Sequence, residues 1–317
     1  MSSSTVRLLA VGTCLFAVGA AGTTAAAAPQ PAHRSAVHRV RPQTLTDLRT
    51  SMRGEAFAHA SYTFYADQAD REDLPDVADL YRRTAHVELH EHFHEEALLA
   101  GAIGDEIANL TFSAAGEADE ASSMYPRFAR EAEQDGDHEA AALFAEIAMD
   151  EAAHNAAFTA ALRFLQTGQG QVPAPPRVDP VPVPAGPPQV HAARTLANLD
   201  TALHGEALAF ARYTVFAEQA EQAGDQQVAD LFRGTAAVEL HEHFAGEAVL
   251  SGFVGDTRGN LHRTVAGETY EATVMYPAFA ERAREAGDTE AAELFCDNAG
   301  DEAGHARAFE QALARLD

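Results

Sequence analysis

The sequence predicts an all-α protein built as two four-helix bundles in tandem, and three observations lead to this prediction. The chain of 317 residues contains the same segment twice, at 54–166 and 205–317, with a constant offset of 151 and 60 identities in 113 aligned pairs. Each copy shows the apolar periodicity of amphipathic helices, and its abundant alanine favours helix. Neither copy shows a strand pattern. A duplication of this length indicates two domains of ordinary size.

The N-terminal residues have the features of a signal peptide. Arg7 supplies a short positive region, an apolar stretch runs from Leu8 to about Ala21, and residues 26–28 form an A-x-A cleavage motif. We therefore expect residues 1–28 to be removed by a cut after Ala28, which makes the mature protein secreted or extracytoplasmic. The apolar stretch is shorter than the ~20 residues of a membrane span. Residues 29–42 are expected to form a flexible N-terminal segment.

Four helices are predicted in each copy, with breaks at turn and capping residues such as Asp73-Leu74-Pro75 and Asp135-Gly136-Asp137. The second copy repeats these helices at an offset of 151, and a kink is expected at the proline inside each third helix. The two domains are therefore expected to span 43–167 and 191–317. In the first copy the predicted helices cover about 43–71, 75–103, 111–135 and 137–166.

A proline-rich segment, residues 168–190, joins the two domains. Its QVPAPPRVDPVPVPAGPP run is incompatible with helix or sheet and predicts a semi-rigid extended spacer of ~3.1 Å per residue. Such a spacer is long enough to let the two halves pack side by side as an intramolecular pseudo-dimer.

The charge and the cysteines exclude several classes of function. A formal net charge of −26 repels nucleic acid and anionic membranes, so neither is expected as a partner. The sequence contains two cysteines and no CxxC pair, which excludes a zinc ribbon or a rubredoxin-type iron site.

Acidic side chains occupy positions where the helices should be apolar. In the fourth helix the seam runs through Phe144, Ile147, Glu151, His154 and Phe158, with spacings of 3, 4, 3 and 4. The second copy places Glu302 and His305 in the same register. The core-facing acids of the other helices are Glu55, Glu88, Glu91, Glu117 and Glu120 in the first copy and Glu206, Glu239, Glu242, Glu268 and Glu271 in the second.

Buried carboxylates at this density need a cation, because unpaired buried charges cost several kcal/mol each. Neither copy contains a lysine, so a metal is the simplest source of positive charge. A Glu and a His three residues apart project from one helix face. Such pairs combined with single Glu residues from other helices are the pattern of di-iron and di-manganese four-helix bundles.

The motifs GEAFAHASYTFYADQA, TAHVELHEHF, AAGEADEASSMYP and EIAMDEAAHNAAF resemble, in order and spacing, the four helices of the rubrerythrins, which are ferritin-like di-iron proteins. The resemblance covers nearly all of each copy. It implies that Tyr62 and Tyr213 lie close to the metals. It implies one site per copy, formed by Glu55, Glu88, Glu117, Glu120, Glu151 and His154 in the first and by Glu206, Glu239, Glu268, Glu271, Glu302 and His305 in the second.

The chain departs from the rubrerythrin pattern in its second helix. Glu91 and Glu242 stand where the family has a His three residues after the ligand Glu, and His92 and His243 follow one residue later. Helical geometry permits either pair to be ligands. The seam register favours Glu91 and Glu242. The rubredoxin partner domain is also missing from the sequence, so electrons must come from an external donor, which is unknown.

The resemblance implies two iron ions per repeat, with manganese or a mixed metal pair as the alternative. It implies a non-haem oxidoreductase that reduces hydrogen peroxide, or that oxidises Fe(II) with O₂ or peroxide. Two other functions remain open. The protein could sequester iron with little turnover, or the helical module could retain its ligands for stability alone.

Overall fold

The computed structural model describes residues 40–316, and these form eight long helices and no β-strand. The all-α, ferritin-like prediction is confirmed. The expected signal peptide, and the flexible segment up to residue 39, lie outside the described residues. Within the described range, no helix is long and apolar enough to cross a membrane.

The first repeat contains helices α1 to α4, and α2 and α3 each include a π-helical segment. Their bounds are α1 (Pro42–Arg71), α2 (Pro75–Val87, π-helical Glu88–Phe93, His94–Leu99), α3 (Glu106–Asp119, π-helical Glu120–Met124, Tyr125–Asp135) and α4 (His138–Thr167).

The second repeat contains helices α5 to α8, with π-helical segments at the corresponding places. Their bounds are α5 (Ala193–Ala223), α6 (Gln226–Val238, π-helical Glu239–Phe244, Ala245–Ser251), α7 (Thr257–Tyr270, π-helical Glu271–Met275, Tyr276–Ala286) and α8 (Thr289–Ala314).

The helix ends follow the local sequence. Helix α3 begins five residues before the predicted start, because the Asp105 side chain accepts a hydrogen bond from the backbone N–H of Ala108 at 2.9 Å and caps the helix there. Gly136, with φ of 83°, ends α3 in the left-handed conformation that glycine adopts without strain. Helix α2 ends at Leu99, four residues earlier than predicted.

The π-helical segments change which residues face the core. A π-helical turn accommodates one more residue than an α-helical turn, so the residues after it are rotated relative to a regular helix. In α3 the segment ends at Met124, two residues before Pro126, so the proline follows a widened turn at the place where a kink was expected.

Each helix pair packs against a helix pair of the other repeat. One apolar cluster joins Leu48 of α1 to Tyr276, Phe279 and Phe295 of α7 and α8. A matching cluster joins helices α3 and α4 to Leu199 of α5. The pair α1/α2 therefore completes its bundle with α7/α8, and α5/α6 completes its bundle with α3/α4.

Polar contacts hold the exchanged pairs together at the bundle ends. Arg282 of α7 donates to both carboxylate oxygens of Asp47 in α1, at 2.8 and 2.9 Å, and Asp47 is buried. In the other bundle the counterpart of this pair is a hydrogen bond of 2.9 Å from Asn198 to Glu131, and Arg194 of α5 forms a separate bidentate pair with Asp135 of α3. Bidentate guanidinium–carboxylate pairs fix orientation as well as distance.

The proline-rich linker is hydrogen-bonded to both repeats. Val183 is buried, and its carbonyl accepts a hydrogen bond from Arg71 at 2.9 Å. The N–H of Val181 donates to the carbonyl of His241 in the π-helical segment of α6 at 2.8 Å. A Cβ at Gly234 would lie 2.5 Å from Cβ of Pro175, so this close approach requires glycine, where the first repeat has Arg83. The linker therefore contains no helix or strand, and it is attached to the folded repeats through these contacts.

Candidate metal centres

Two clusters of buried acids and imidazoles lie inside the two bundles, and each takes three residues from each repeat. We call them centre 1 and centre 2. Centre 1 consists of Glu55, Glu88, His92, Glu268, Glu302 and His305, and centre 2 consists of Glu206, Glu239, His243, Glu117, Glu151 and His154.

In centre 1, two carboxylates lie between two imidazoles. His92 Nδ1 is 2.9 Å from one oxygen of Glu88 and 3.0 Å from one oxygen of Glu302. His305 Nδ1 is 3.2 Å and 3.0 Å from the other oxygens of the same two side chains. Glu55 lies on the His92 side at 3.6 Å, and Glu268 lies on the His305 side at 3.4 Å. Glu88 and Glu302 are thus in position to bridge two cations, each with its own His and terminal Glu.

Centre 2 repeats this geometry with the repeats interchanged. Glu151 and Glu239 take the bridging positions between His243 and His154. The His243 Nδ1 atom lies 2.8 Å from Glu239 and 3.2 Å from Glu151, and Glu206 and Glu117 are the terminal carboxylates.

The clusters fit divalent cations because many of their polar atoms converge without a hydrogen-bond partner. Both carboxylate oxygens of Glu88 and Glu239, and both ring nitrogens of His92 and His243, are buried and have no hydrogen-bond partner among the described residues. Buried polar groups are ordinarily satisfied. A single Nδ1 near two carboxylates cannot serve both as a donor, whereas a cation between them satisfies all three. Carboxylate and imidazole donors together suit iron or manganese.

Without a cation, protons must compensate the buried charge. Burial raises the pKa of Glu206 to about 8, and burial with the neighbouring Glu302 carboxylate raises the pKa of Glu55 well above its usual range. Burial alone would raise the pKa of Glu302, but the neighbouring imidazoles of His305 and His92 hold it at about 2. Burial would lower the pKa of His305, yet its carboxylate partners raise it to about 12. Each cluster therefore binds positive charge strongly.

A tyrosine from the first helix of each repeat contacts a terminal carboxylate of one centre. The hydroxyl of Tyr62 donates to Glu268 in centre 1, and that of Tyr213 donates to Glu117 in centre 2. Each expected tyrosine therefore reaches the centre that holds the first-helix Glu of its own repeat, Glu55 or Glu206. Burial raises the pKa of both phenols well above 10, which keeps them protonated as hydrogen-bond donors.

A second tyrosine at each centre comes from the MYP motif of the third helix. Tyr276 donates to Glu55 and to Glu96, the latter at 3.0 Å, and Tyr125 makes the matching bonds to Glu206 and Glu247. Glu96 and Glu247 are fully buried behind the terminal carboxylates. Sequence reasoning missed these four residues, although all of them are identical between the two repeats.

The structure corrects the preference for Glu91 and Glu242. Glu91 is exposed, and Glu242 accepts a hydrogen bond from the linker N–H of Asp179, so neither joins a cluster. His92 and His243 occupy those places. The π-helical segment is the reason, because its extra residue turns the fourth position after the bridging Glu, instead of the third, toward the centre.

The same rotation corrects the rest of the second-helix seam. Regular α-helical spacing after Glu88 and Glu91 predicts that Glu95 and Leu98 face the core, but Leu98 is 59 % exposed and Glu96 is buried. The core positions after Glu88 are therefore His92 and Glu96, spaced by four residues.

The structure also changes the grouping of the expected ligands. Glu55 and Glu88 belong to one cluster, whereas Glu117, Glu151 and His154 belong to the other. The set implied for each single repeat is therefore divided between the two centres. The exchange of helix pairs is the cause, since α1/α2 and α3/α4 lie in different bundles.

Glu120 and Glu271, the additional third-helix carboxylates, are half-buried beside the clusters and outside them. Each begins a π-helical segment. Burial, followed by the charges of Glu302 and Glu88, raises the pKa of Glu271 to about 8. Both side chains thus lie close enough to respond to the charge of the centres.

The environments of the two centres differ at one buried position. Asn298 donates to Glu96 at 3.1 Å, while the corresponding residue beside Glu247 is Ile147. The buried carboxyl group behind centre 1 consequently has an amide partner that the one behind centre 2 lacks.

Comparisons with known proteins agree with this geometry. Residues 47–162 and 197–313 each match the sequence model of the rubrerythrin family. Rubrerythrin of Nitratidesulfovibrio vulgaris is 38% identical over 128 residues, covering 37% of this chain and 67% of that protein. Rubrerythrin of Porphyromonas gingivalis is 36% identical over 139 residues, covering 40% and 69%. Nigerythrin of Nitratidesulfovibrio vulgaris is 36% identical over 137 residues, covering 39% and 67%.

The placement of the second-helix histidine predicts a difference between two adjacent substitutions. His92→Gln should lower the iron content of the reconstituted protein by at least one ion per chain, because it removes a donor from inside centre 1. Glu91→Gln should leave the content unchanged, because that side chain is exposed. Metal analysis by mass spectrometry measures both. Iron loss in the Glu91 variant with retention in the His92 variant would reverse the assignment.

The proton affinities of the clusters predict how stability depends on pH. The pKa of Glu206 rises from 4.5 to about 8 and that of His305 from 6.5 to about 12 on folding. Between these two values the folded protein binds more protons than the unfolded chain. Its free energy of unfolding is therefore highest below the unfolded pKa and decreases as pH rises toward the folded pKa. The low pKa of Glu302 also stabilises the folded protein, but this contribution to the free energy of unfolding is already complete above pH 4.5 and does not change at higher pH. The melting temperature of the metal-free protein should therefore fall between pH 5.5 and 8.5.

The manganese-loaded protein is the control for this measurement. Metal binding needs deprotonated carboxylates and neutral imidazoles, so the gain in melting temperature from metal should grow over the same pH range. A melting temperature of the metal-free protein that rises from pH 5.5 to 8.5 would contradict the protonated clusters.

Proposed function

Because the chain belongs to the rubrerythrin family, we propose that it reduces hydrogen peroxide at two di-iron centres, or oxidises Fe(II) with O₂ or peroxide at the same centres. Two iron ions occupy each centre in this proposal, with manganese or a mixed pair as alternatives. The observation that carries it is the bridging geometry, in which two buried carboxylates each present one oxygen to either imidazole.

The reaction needs two electrons and two protons for each peroxide, giving two molecules of water. Bound iron supplies Lewis acidity and the two electrons when both ions are reduced. The protein supplies the ligand field and the protons. The electrons that reduce the centre again come from an external donor.

The buried tyrosines hold protons beside each centre. Tyr62 and Tyr213 keep their phenolic protons at neutral pH and point them at terminal carboxylates. A proton held at the phenol oxygen can be donated when negative charge develops on an oxygen bound nearby. The apolar packing of Tyr62 against Phe309 and of Tyr213 against Phe158 restricts water on the far side of each ring.

Glu120 and Glu271 are the side chains suited to change position during turnover. Both lie at the edge of a centre, half-buried, at the first residue of a π-helical segment. A carboxylate there can approach when the positive charge of the centre rises and withdraw when it falls. Short π-helical segments within α-helices occur frequently at functional sites.

Two further elements of the proposal concern the whole chain. The two repeats act as an intramolecular pseudo-dimer, which the mixed composition of both centres supports. The chain is also exported after removal of residues 1–28, which the sequence pattern at its N-terminus supports. N-terminal sequencing of the protein from its native source should begin at Pro29, and an intact Met1 would exclude the cleavage.

Reoxidation of reduced protein by peroxide tests the proposed activity. In protein loaded with Fe(II) in the absence of oxygen, one hydrogen peroxide should oxidise both ferrous ions of a centre to the ferric state. Mössbauer spectroscopy follows this change. The double substitution Tyr62→Phe and Tyr213→Phe should slow this reoxidation about tenfold or more, because it removes a positioned proton. Tyr270→Phe, a change at an exposed tyrosine, is the matched control.

Two results would count against the activity. Ferrous protein that peroxide leaves reduced would refute the peroxidase proposal. Uptake far above two irons per centre, with slow turnover, would instead support the alternative function of iron sequestration.

A further inference from the structure

A cavity of about 550 Å³ opens beside centre 2, between helices α3 and α5. Tyr213 and Glu120 line its inner end, where the cavity meets the centre. Its apolar wall includes Phe112 and Leu208. The volume lies in the range that holds small organic molecules.

Two arginines line this cavity in a chain whose net charge is −26. The Arg212 guanidinium is 4.8 Å from the ring centre of Phe112. Within residues 40–316, neither Arg212 nor Arg53 has a hydrogen bond or an ion pair. Burial, and then the like charges of Arg53 and Arg49, lower the pKa of Arg212, and the nearby Glu120 carboxyl offsets this only in part.

Neither acidic side chain of the cavity forms an ion pair with the arginines. Asp200 lies at the exposed outer rim, where it is 4.0 Å from His204 Nδ1. Glu120 lies at the inner end without a hydrogen bond to either arginine, and burial with the like charges of Glu206 and Glu151 raises the pKa of its carboxyl group well above the usual range. An arginine fork with open donor positions, flanked by an aromatic ring, matches the shape of a carboxylate on an apolar body.

The corresponding region of the other repeat is built differently. Ser61 stands in place of Arg212, and its hydroxyl bonds back to its own helix at 2.6 Å. Phe57 stands in place of Leu208 and stacks on His204 at 3.8 Å. Glu271 comes within 3.4 Å of where a Cβ would project from Gly54, whereas nothing lies within 4 Å of a Cβ at Gly205.

We propose that this cavity binds a small organic carboxylate with an apolar or aromatic body, next to centre 2 and without an equivalent site at centre 1. The carboxylate pairs with Arg212 and Arg53, and the body lies between Phe112 and Leu208 with its inner end toward Tyr213. This site gives the two centres different surroundings, and only centre 2 has a ligand that can control access to it. The proposal rests on the cavity and its charges and holds whether or not the centres turn over peroxide.

Titration calorimetry on the metal-free full chain tests this site with benzoate as the probe. One benzoate should bind per chain, and benzyl alcohol, which has the same ring and no charge, should bind at least about tenfold more weakly. Raising the salt concentration should weaken benzoate binding, because the pairing is electrostatic. Equal binding of the two probes, or no binding of benzoate, would overturn the proposal.

Two substitutions that copy the other repeat locate the site. Arg212→Ser should weaken benzoate binding about tenfold or more, and Leu208→Phe should block it by filling the cavity. Arg307→Ala, which copies Ala156 and removes the same charge from an exposed position, should leave binding unchanged. Melting curves confirm that each variant is folded. Wild-type affinity in the folded Arg212 variant would show that benzoate binds elsewhere and would contradict the assignment.

Discussion

The bridging carboxylates of each centre come from different repeats, and the burial of their negative charge is the constraint on which the rest of the structure depends. Glu88 faces Glu302 in centre 1, and Glu151 faces Glu239 in centre 2, all about 1 % exposed. Carboxylates this close and this dry repel each other unless cations or protons compensate them. Two divalent cations held by the bridging residues would balance the four carboxylates of a centre and would join the two repeats at once.

The exchange of helix pairs follows from the same arrangement. The first and second helices of a repeat carry one bridging Glu, one His and one terminal Glu, which is half of a centre. Helices α1 and α5 pack against each other in the middle, with Phe57 stacked on His204 and His59 stacked on Phe210. The linker spans the distance between the repeats and is fastened to α6 by backbone hydrogen bonds. One chain thereby encloses two complete centres.

Most of the fold and most of the site residues could be predicted from the sequence. The duplication, most of the helix breaks and most of the acids on the core seam could be predicted because they depend on local sequence and on helical periodicity. The choice of His92 over Glu91 could not be predicted, because it depends on a π-helical turn that adds one residue within a regular apolar pattern. One available clue was Glu96, which is identical in both repeats while Glu95 is replaced by Gly246. The pairing of helices between repeats depends on tertiary packing, and the identical ligand sets of the two copies carry no information about it.

The pairing of bridging residues is tested most directly by the iron content of two double variants. Glu88→Ala with Glu302→Ala removes both bridging carboxylates of centre 1 and leaves centre 2 intact, so the protein should keep about half of the wild-type iron. Glu88→Ala with Glu151→Ala removes one bridging carboxylate from each centre, so the protein should keep almost no iron. The reverse result, with half of the iron in the second variant and almost none in the first, would show that each repeat builds its own centre and would contradict the exchange of helices.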